Sequence, residues 1–159
     1  MEQKLLETLL DTAAYIETTA SVRLKQTHVS YLFLTDNYVY KIKKEVDFGF
    51  LNFMTLDRRR FYCEEEVRLN RRLCPDIYLG VVEVRESAEG LSFHGDGRVV
   101  EYAVRMKRLP EDRMLHRLLD QGNVTDAEVR LIADTIAEFH LNAEQSREMV
   151  DYARERLEL

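Results

Sequence analysis

The sequence predicts an α+β fold: an antiparallel sheet of about five strands, interrupted by one helix, then helices alone. Three observations predict it. β-favouring runs lie between Ser21 and Lys44 and again between Ile77 and Leu109. A helix-like segment, Leu56 to Leu73, separates them, and from Pro110 onward the spacing is only helical.

In chain order, residues 2–15 place Leu5, Leu6, Leu9, Leu10 and Ala13 on one side of a first helix. The run Ser21 to Gln26 alternates, with Val22 and Leu24 on one face. VSYLFLT and NYVYKIK follow, joined by Asp36-Asn37, a pair suited to a tight hairpin. The next helix opens on Thr55 as N-cap and ends near Cys74-Pro75, because proline cannot continue it. Ile77 to Val84 reads as a strand. The stretch SAEGLSFHGDGRVVEYAVRMKRL reads as two more strands, joined at Gly95 and Gly97. In the last of them Val100, Tyr102, Val104 and Met106 make one apolar face. Pro110 suits a first helical position and Gly122 a stop. Thr125 with Glu128 spells a capping box, opening a helix with the stripe Val129, Ile132, Ala133, Ile136, Phe139 and His140. The tail from Gln145 is charged and helical in composition.

Composition narrows the function classes. With 159 residues the chain can bury a real core, and no apolar run reaches the ~20 residues of a transmembrane helix. The acidic N-terminus lacks a signal-peptide layout, so the expected location is the cytoplasm. A net charge of −6 argues against a nucleic-acid or anionic-membrane partner. Arg58, Arg59, Arg60, Arg68, Arg71 and Arg72 are interrupted by Glu64, Glu65 and Glu66, which suggests paired charges on a solvated helix face. Cys63 and Cys74 are separated by about 16 Å of helix rise, so they read as reduced thiols rather than a disulfide. His28, His116 and His140 have no metal-site spacing, and His140 on the apolar stripe reads as a packed core histidine.

One constellation carries chemistry. On the strand YVYKIKK, Val39, Lys41 and Lys43 point one way while Tyr38, Tyr40 and Ile42 point the other. On the following helix Tyr62, Glu66, Leu69 and Leu73 share a stripe, so Glu66 faces inward. An inward lysine and an inward acid solve each other's burial problem. Glu65, one step away, is a substitute partner. The plainer alternative makes Lys41 an edge-strand guard and Glu66 a solvated acid.

The segments THVSYLFLTDNYVYKIKKEVDFGFLNFMTL, RRRFYCEEEVRLNRRLCPDIYLGVV and VVEYAVRMKRLP resemble the N-terminal lobe of aminoglycoside-phosphotransferase-type kinases. The likeness extends to a bacterial branch in which this domain is often fused to a P-loop ATPase-like domain, and it runs from about Thr27 to His140. It implies a protein-kinase-like N-lobe over residues 1–109, and over 110–159 the first helices of an incomplete C-lobe. Lys41 becomes the phosphate-binding lysine for ATP and Glu66 its helix partner. Ser30 sits where the phosphate-covering loop turns, although Thr27-His28-Val29-Ser30 has none of that loop's glycines. Met106 to Leu109 match the hinge, with backbone groups of Lys107 and Leu109 taking the adenine edge. Phe139-His140 resembles the Leu-His pair near the end of the family's first large C-lobe helix.

Two tripeptides imitate missing machinery. Asp47-Phe48-Gly49 directly follows the lysine strand, too early for a metal-binding triplet, and reads as a turn whose Phe48 and Phe50 cover the core. His94-Gly95-Asp96 precedes the hinge and has Glu101 where an asparagine is required, so it reads as a hairpin turn. No residue is matched to a catalytic base or a Mg2+ ligand, and those groups are expected in the missing C-lobe. The expected function is therefore the ATP-binding portion of a small-molecule kinase. The alternative is a non-catalytic, pseudokinase-like nucleotide-binding or protein-interaction module. In either case the stripe Val129, Ile132, Ile136 and Phe139 predicts self-association through the C-terminal helices.

Overall fold

The computed structural model describes residues 2–144, 146, 147 and 151. The fold is α+β. Helix α1 (Glu2–Leu9) precedes strands β1 (Arg23–Gln26), β2 (Ser30–Leu34) and β3 (Tyr38–Lys43). Helix α2 (Leu56–Asn70) leads to β4 (Tyr78–Ser87), β5 (Gly90–Ser92) and β6 (Arg98–Lys107), and α3 (Leu115–Asp120) and α4 (Asp126–Leu141) follow. All six strands form one antiparallel sheet in the order β1-β2-β3-β6-β4-β5. The chain divides into two compact units, Met1–Leu109 and Pro110–Leu159.

In the first unit the sheet is covered on both faces. Alternation along β2 and β3 sends Tyr31, Phe33, Tyr40 and Ile42 into a core with Leu5, Leu9, Tyr15 and Phe93. The rings of Tyr40 and Phe93 lie 4.3 Å apart, and Tyr15 meets Tyr40 edge-on at 5.0 Å. On the opposite face α2 seats Cys63 and Val67 against Val104, Tyr102, Met106 and Val81.

Several local expectations are corrected. The first helix ends at Leu9, because the Asp11 carboxylate accepts from the Ala13 amide and caps a 3-10 turn instead; Leu10 is left 42% exposed. On α2 the inward positions are Arg59, Cys63 and Val67, whereas Leu69 and Leu73 face outward. The Arg60–Glu64 and Arg68–Glu65 pairs lie on the solvated face as the charge pattern suggests, but Arg59 does not. Phe48 and Phe50 are exposed, and Phe53 is the ring that fills the core. The Asp47 turn itself forms, its carboxylate accepting from the Gly49 amide and the Asn52 side chain.

β5 pairs with β4 rather than β6, so the Gly95–Gly97 stretch is a crossing connection and not a hairpin turn. Gly97 is needed there, because a side chain would run into the Glu86 carbonyl. A bulge in β6 skips Val100 in the register with β4 and sends it to the aromatic core, away from Tyr102, Val104 and Met106.

In the second unit Pro110 caps a short 3-10 turn, Glu111–Arg113, rather than starting a long helix. Gly122, at φ 66°, follows α3. Thr125 and Glu128 form both halves of the capping box on α4. Val129, Ile132 and Ile136 are exposed, as is His140, which is therefore not a packed core histidine. Most of the tail from Gln145 lies outside the described residues. No helix among the described residues is long and apolar enough to cross a membrane.

Candidate functional site

β3 and α2 build a charged cluster on the face opposite the aromatic core. Because Lys41 and Lys43 alternate with Tyr40 and Ile42, both ammonium groups leave the sheet on the α2 side. Glu66 reaches them from α2: Lys41 Nζ donates to Oε1 at 2.8 Å and Lys43 Nζ to Oε2 at 2.8 Å. Glu65 turns to Arg68 instead. The sequence pairing of Lys41 with Glu66 thus has a third member. Its signal was available, since Lys43 lies two positions further along the same face.

The three side chains differ in access. Lys43 is 7% exposed, Glu66 13% and Lys41 26%. Lys43 Nζ also lies 4.9 Å from the centre of the Phe53 ring, a cation–π contact inside the fold. Burial pushes the Glu66 carboxyl up, but hydrogen bonds and charge from Lys41 and Lys43 outweigh it and hold the group below its ordinary value. Cys63, one turn back on α2, is pushed up to about 12 by burial, so it is a packing group and not a thiolate nucleophile.

A second ion pair borders this cluster. Arg59 Nε donates to both oxygens of Glu101, at 3.0 and 2.8 Å, and Arg59 Nη1 donates to the carbonyl of Phe53 at 2.9 Å. Both side chains are buried, and burial pushes the Glu101 carboxyl up despite Arg59. A cavity of about 270 Å³ opens beside them, lined among others by Tyr31, Lys43, Lys44 and Met54. Neither Lys41 nor Glu66 lines it. Sequence pattern missed Arg59 and Glu101, because partners 42 residues apart leave no local periodicity.

Of the remaining sequence candidates, Ser30 pairs with Lys43 in the sheet and Met106 packs near Cys63, while Lys107 and Leu109 lie at and beyond the end of β6. Ser30 is the first residue of β2 and fully buried; the exposed turn residues are Thr27 and His28. Its amide donates to Thr27 Oγ1 at 3.0 Å, and its Oγ has no partner among the described residues. A buried hydroxyl at the strand start is not on a surface loop, which corrects the placement expected for Ser30. Met106 packs on the α2 side of the sheet near Cys63. The Lys107 amide donates to the Ile77 carbonyl at 2.9 Å, so that N–H is already engaged and cannot serve an adenine edge. Leu109 closes the first unit, 46% exposed.

No family model matches this chain, and no solved structure matches it. It is similar to uncharacterised proteins of Mycobacterium tuberculosis and Mycobacterium bovis, 28% identical over 126 residues, or 79% of this chain. The chain spans about a quarter, 24%, of the length of the curated relatives it matches.

Chemically, the cluster holds one ammonium that is a quarter exposed, directed by a largely buried carboxylate. Two lysines against one glutamate leave one positive charge in excess. Phosphate oxygens fit such a group. Among the described residues no group of three or more His, Cys, Asp or Glu could hold a metal ion.

Proposed function

We propose that this chain is the nucleotide-binding portion of a small-molecule kinase of the aminoglycoside-phosphotransferase type, with a protein-kinase-like N-lobe over residues 1–109. The observation that carries the reading is the 2.8 Å pair between Lys41, on the third strand, and Glu66, on the helix that follows it. Kinase-type sites use a lysine on their third strand, paired with a helix glutamate, to orient ATP phosphates.

Under this reading Lys41 Nζ contacts phosphate oxygens and Glu66 fixes its direction. Lys107 contributes its carbonyl rather than its amide to the adenine edge, and Leu109 its backbone. Mg2+, when bound, neutralises charge on the transferring phosphates. Its ligands, the catalytic aspartate and the acceptor pocket are assigned to polypeptide outside this span, which accords with relatives of whose length the match covers 24%. The exposed apolar residues Val129, Ile132 and Ile136 of α4 favour a complementary role as an interaction surface, and self-association through α4 is the form proposed.

The test is the thermal unfolding midpoint with and without millimolar Mg-ATP, for wild type and Lys41→Ala. Ligand at ~100 times its dissociation constant adds about 2.7 kcal/mol, a shift of several degrees. A shift in wild type that disappears in Lys41→Ala supports the reading. No shift in wild type removes nucleotide binding by this span.

A further inference from the structure

Glu66 gives each of its two oxygens to a different lysine, and the two lysines are not equivalent. Lys43 is 7% exposed, enclosed by the Phe53 ring, and paired in the sheet with the fully buried Ser30. Lys41 is 26% exposed and sits mid-strand between Leu32 and Val104. An ammonium as enclosed as Lys43 cannot leave its carboxylate without stranding a buried charge, whereas Lys41 can exchange partners through solvent. Glu66, itself mostly buried, would be equally stranded if Lys41 were its single partner and turned to a ligand.

We infer that the two lysines divide the work: Lys43 is the permanent anchor of Glu66, and Lys41 is the exchangeable cation that an anionic ligand recruits. Lys43 is thus a positioning residue. It keeps Glu66 satisfied while Lys41 turns toward phosphate oxygens, and the repulsion between two ammonium groups on one carboxylate favours that turn. Without Lys43, Glu66 depends wholly on Lys41 and holds it back from the ligand. The ligand half of this inference rests on the nucleotide reading above; the anchoring half does not.

The experiment therefore has two arms on the full 159-residue chain. The first is ligand-free: the side-chain carboxyl carbon of Glu66 is titrated by NMR in wild type, Lys41→Met, Lys43→Met and Lys43→Arg. The other titratable groups facing Glu66 are Cys63 on α2 and Tyr78 on β4, besides the two lysines, and all four are followed in the same titration. Lys43→Met is expected to raise the Glu66 midpoint more than Lys41→Met does, and Lys43→Arg to return it toward wild type. Where the methionine variant does not fold, Lys43→Gln takes its place. A larger shift in Lys41→Met, or equal shifts in the two, overturns the division of labour.

The second arm measures Mg-ATP affinity from the midpoint shift. Lys41→Met is expected to abolish binding, Lys43→Met to weaken it about tenfold, and Lys43→Arg to recover most of the loss. Binding that survives Lys41→Met but not Lys43→Met reverses the roles and also overturns the inference. Absence of binding in wild type rejects the nucleotide reading alone, and the titration then decides the anchor by itself.

Discussion

The two faces of one sheet have opposite chemistry. Under α1 the sheet is mainly apolar and aromatic: Tyr31, Phe33, Tyr40 and Ile42 pack with Leu5, Leu9, Tyr15 and Phe93, the rings of Tyr15, Tyr40 and Phe93 are in contact, and one ion pair, Glu17 with Arg105, takes the Tyr40 hydroxyl. Under α2 the same strands present Lys41 and Lys43 to Glu66, and Arg59 on that helix pairs with Glu101. A single strand, β3, serves both faces by alternation. The first face gives stability through contact area; the second keeps charges whose burial is compensated only by one another. The difference separates an aromatic packing face from a charged one within a span of six residues.

That comparison can be broken most severely on the aromatic face. Tyr40→Ala deletes a fully buried ring and is expected to lower stability by about 3–5 kcal/mol, read from urea unfolding, with the Glu66 titration unchanged in the fraction that folds. An equal disturbance of both faces would mean that they are not independent. Next in size is Arg59→Met, which leaves Glu101 without its cation and should cost about 3 kcal/mol. Adding Glu101→Leu should recover part of that loss, since the second change removes the stranded charge.

Acidification divides the charged face within itself, because Glu66 and Glu101 respond with opposite signs. Glu66 lies below its ordinary value of 4.5, so its contribution is present above pH 4.5 and is lost as pH falls through its folded value. Glu101 is raised, so its contribution is full below pH 4.5 and is lost as pH rises through its folded value. On the α1 side Glu86 is held at about 2 by hydrogen bonds from Lys4 and Arg98, so its support is lost between pH 4.5 and 2. Unfolding midpoints across this range should fall on acidification in wild type and less steeply in Lys4→Met. The smallest effect expected on stability is that of Lys41→Ala. Lys41 is a quarter exposed and Glu66 keeps Lys43, so the loss should stay under about 1 kcal/mol while any Mg-ATP shift vanishes.

Much of the local structure was legible from residues a few positions apart. Thr55 and Thr125 accept from amides three residues on, at Arg58 and Glu128, and a cap needs no distant partner. Asp36-Asn37 joins β2 to β3 as the hairpin pattern required. The Lys41–Glu66 contact was reachable because two elements with known periods each offered charge inward, Lys41 and Lys43 from β3 and Glu66 from α2. The stripe on α2 departs from its pattern for a related reason: the apolar Leu69 and Leu73 fit an inward pattern yet are exposed, while Arg59, which fits a solvated one, is buried. An inward arginine is recognisable only once Glu101 is known to lie beside it.

By itself, the sequence determined the α+β order of elements, the starts of α2 and α4, the β2–β3 hairpin and the face on which Lys41 and Lys43 stand. Each follows from alternation, capping or turn chemistry acting within a few residues. Tertiary structure alone decided that β5 pairs with β4, that Val100 leaves its expected face at a bulge, that Ser30 is buried, and that Arg59 meets Glu101. It also decided that one carboxylate serves two lysines of unequal access. For the buried charges the physical reason is range: their counter-charges stand 23 to 42 residues away in the chain, and burial then makes two identical ammonium groups unequal in access.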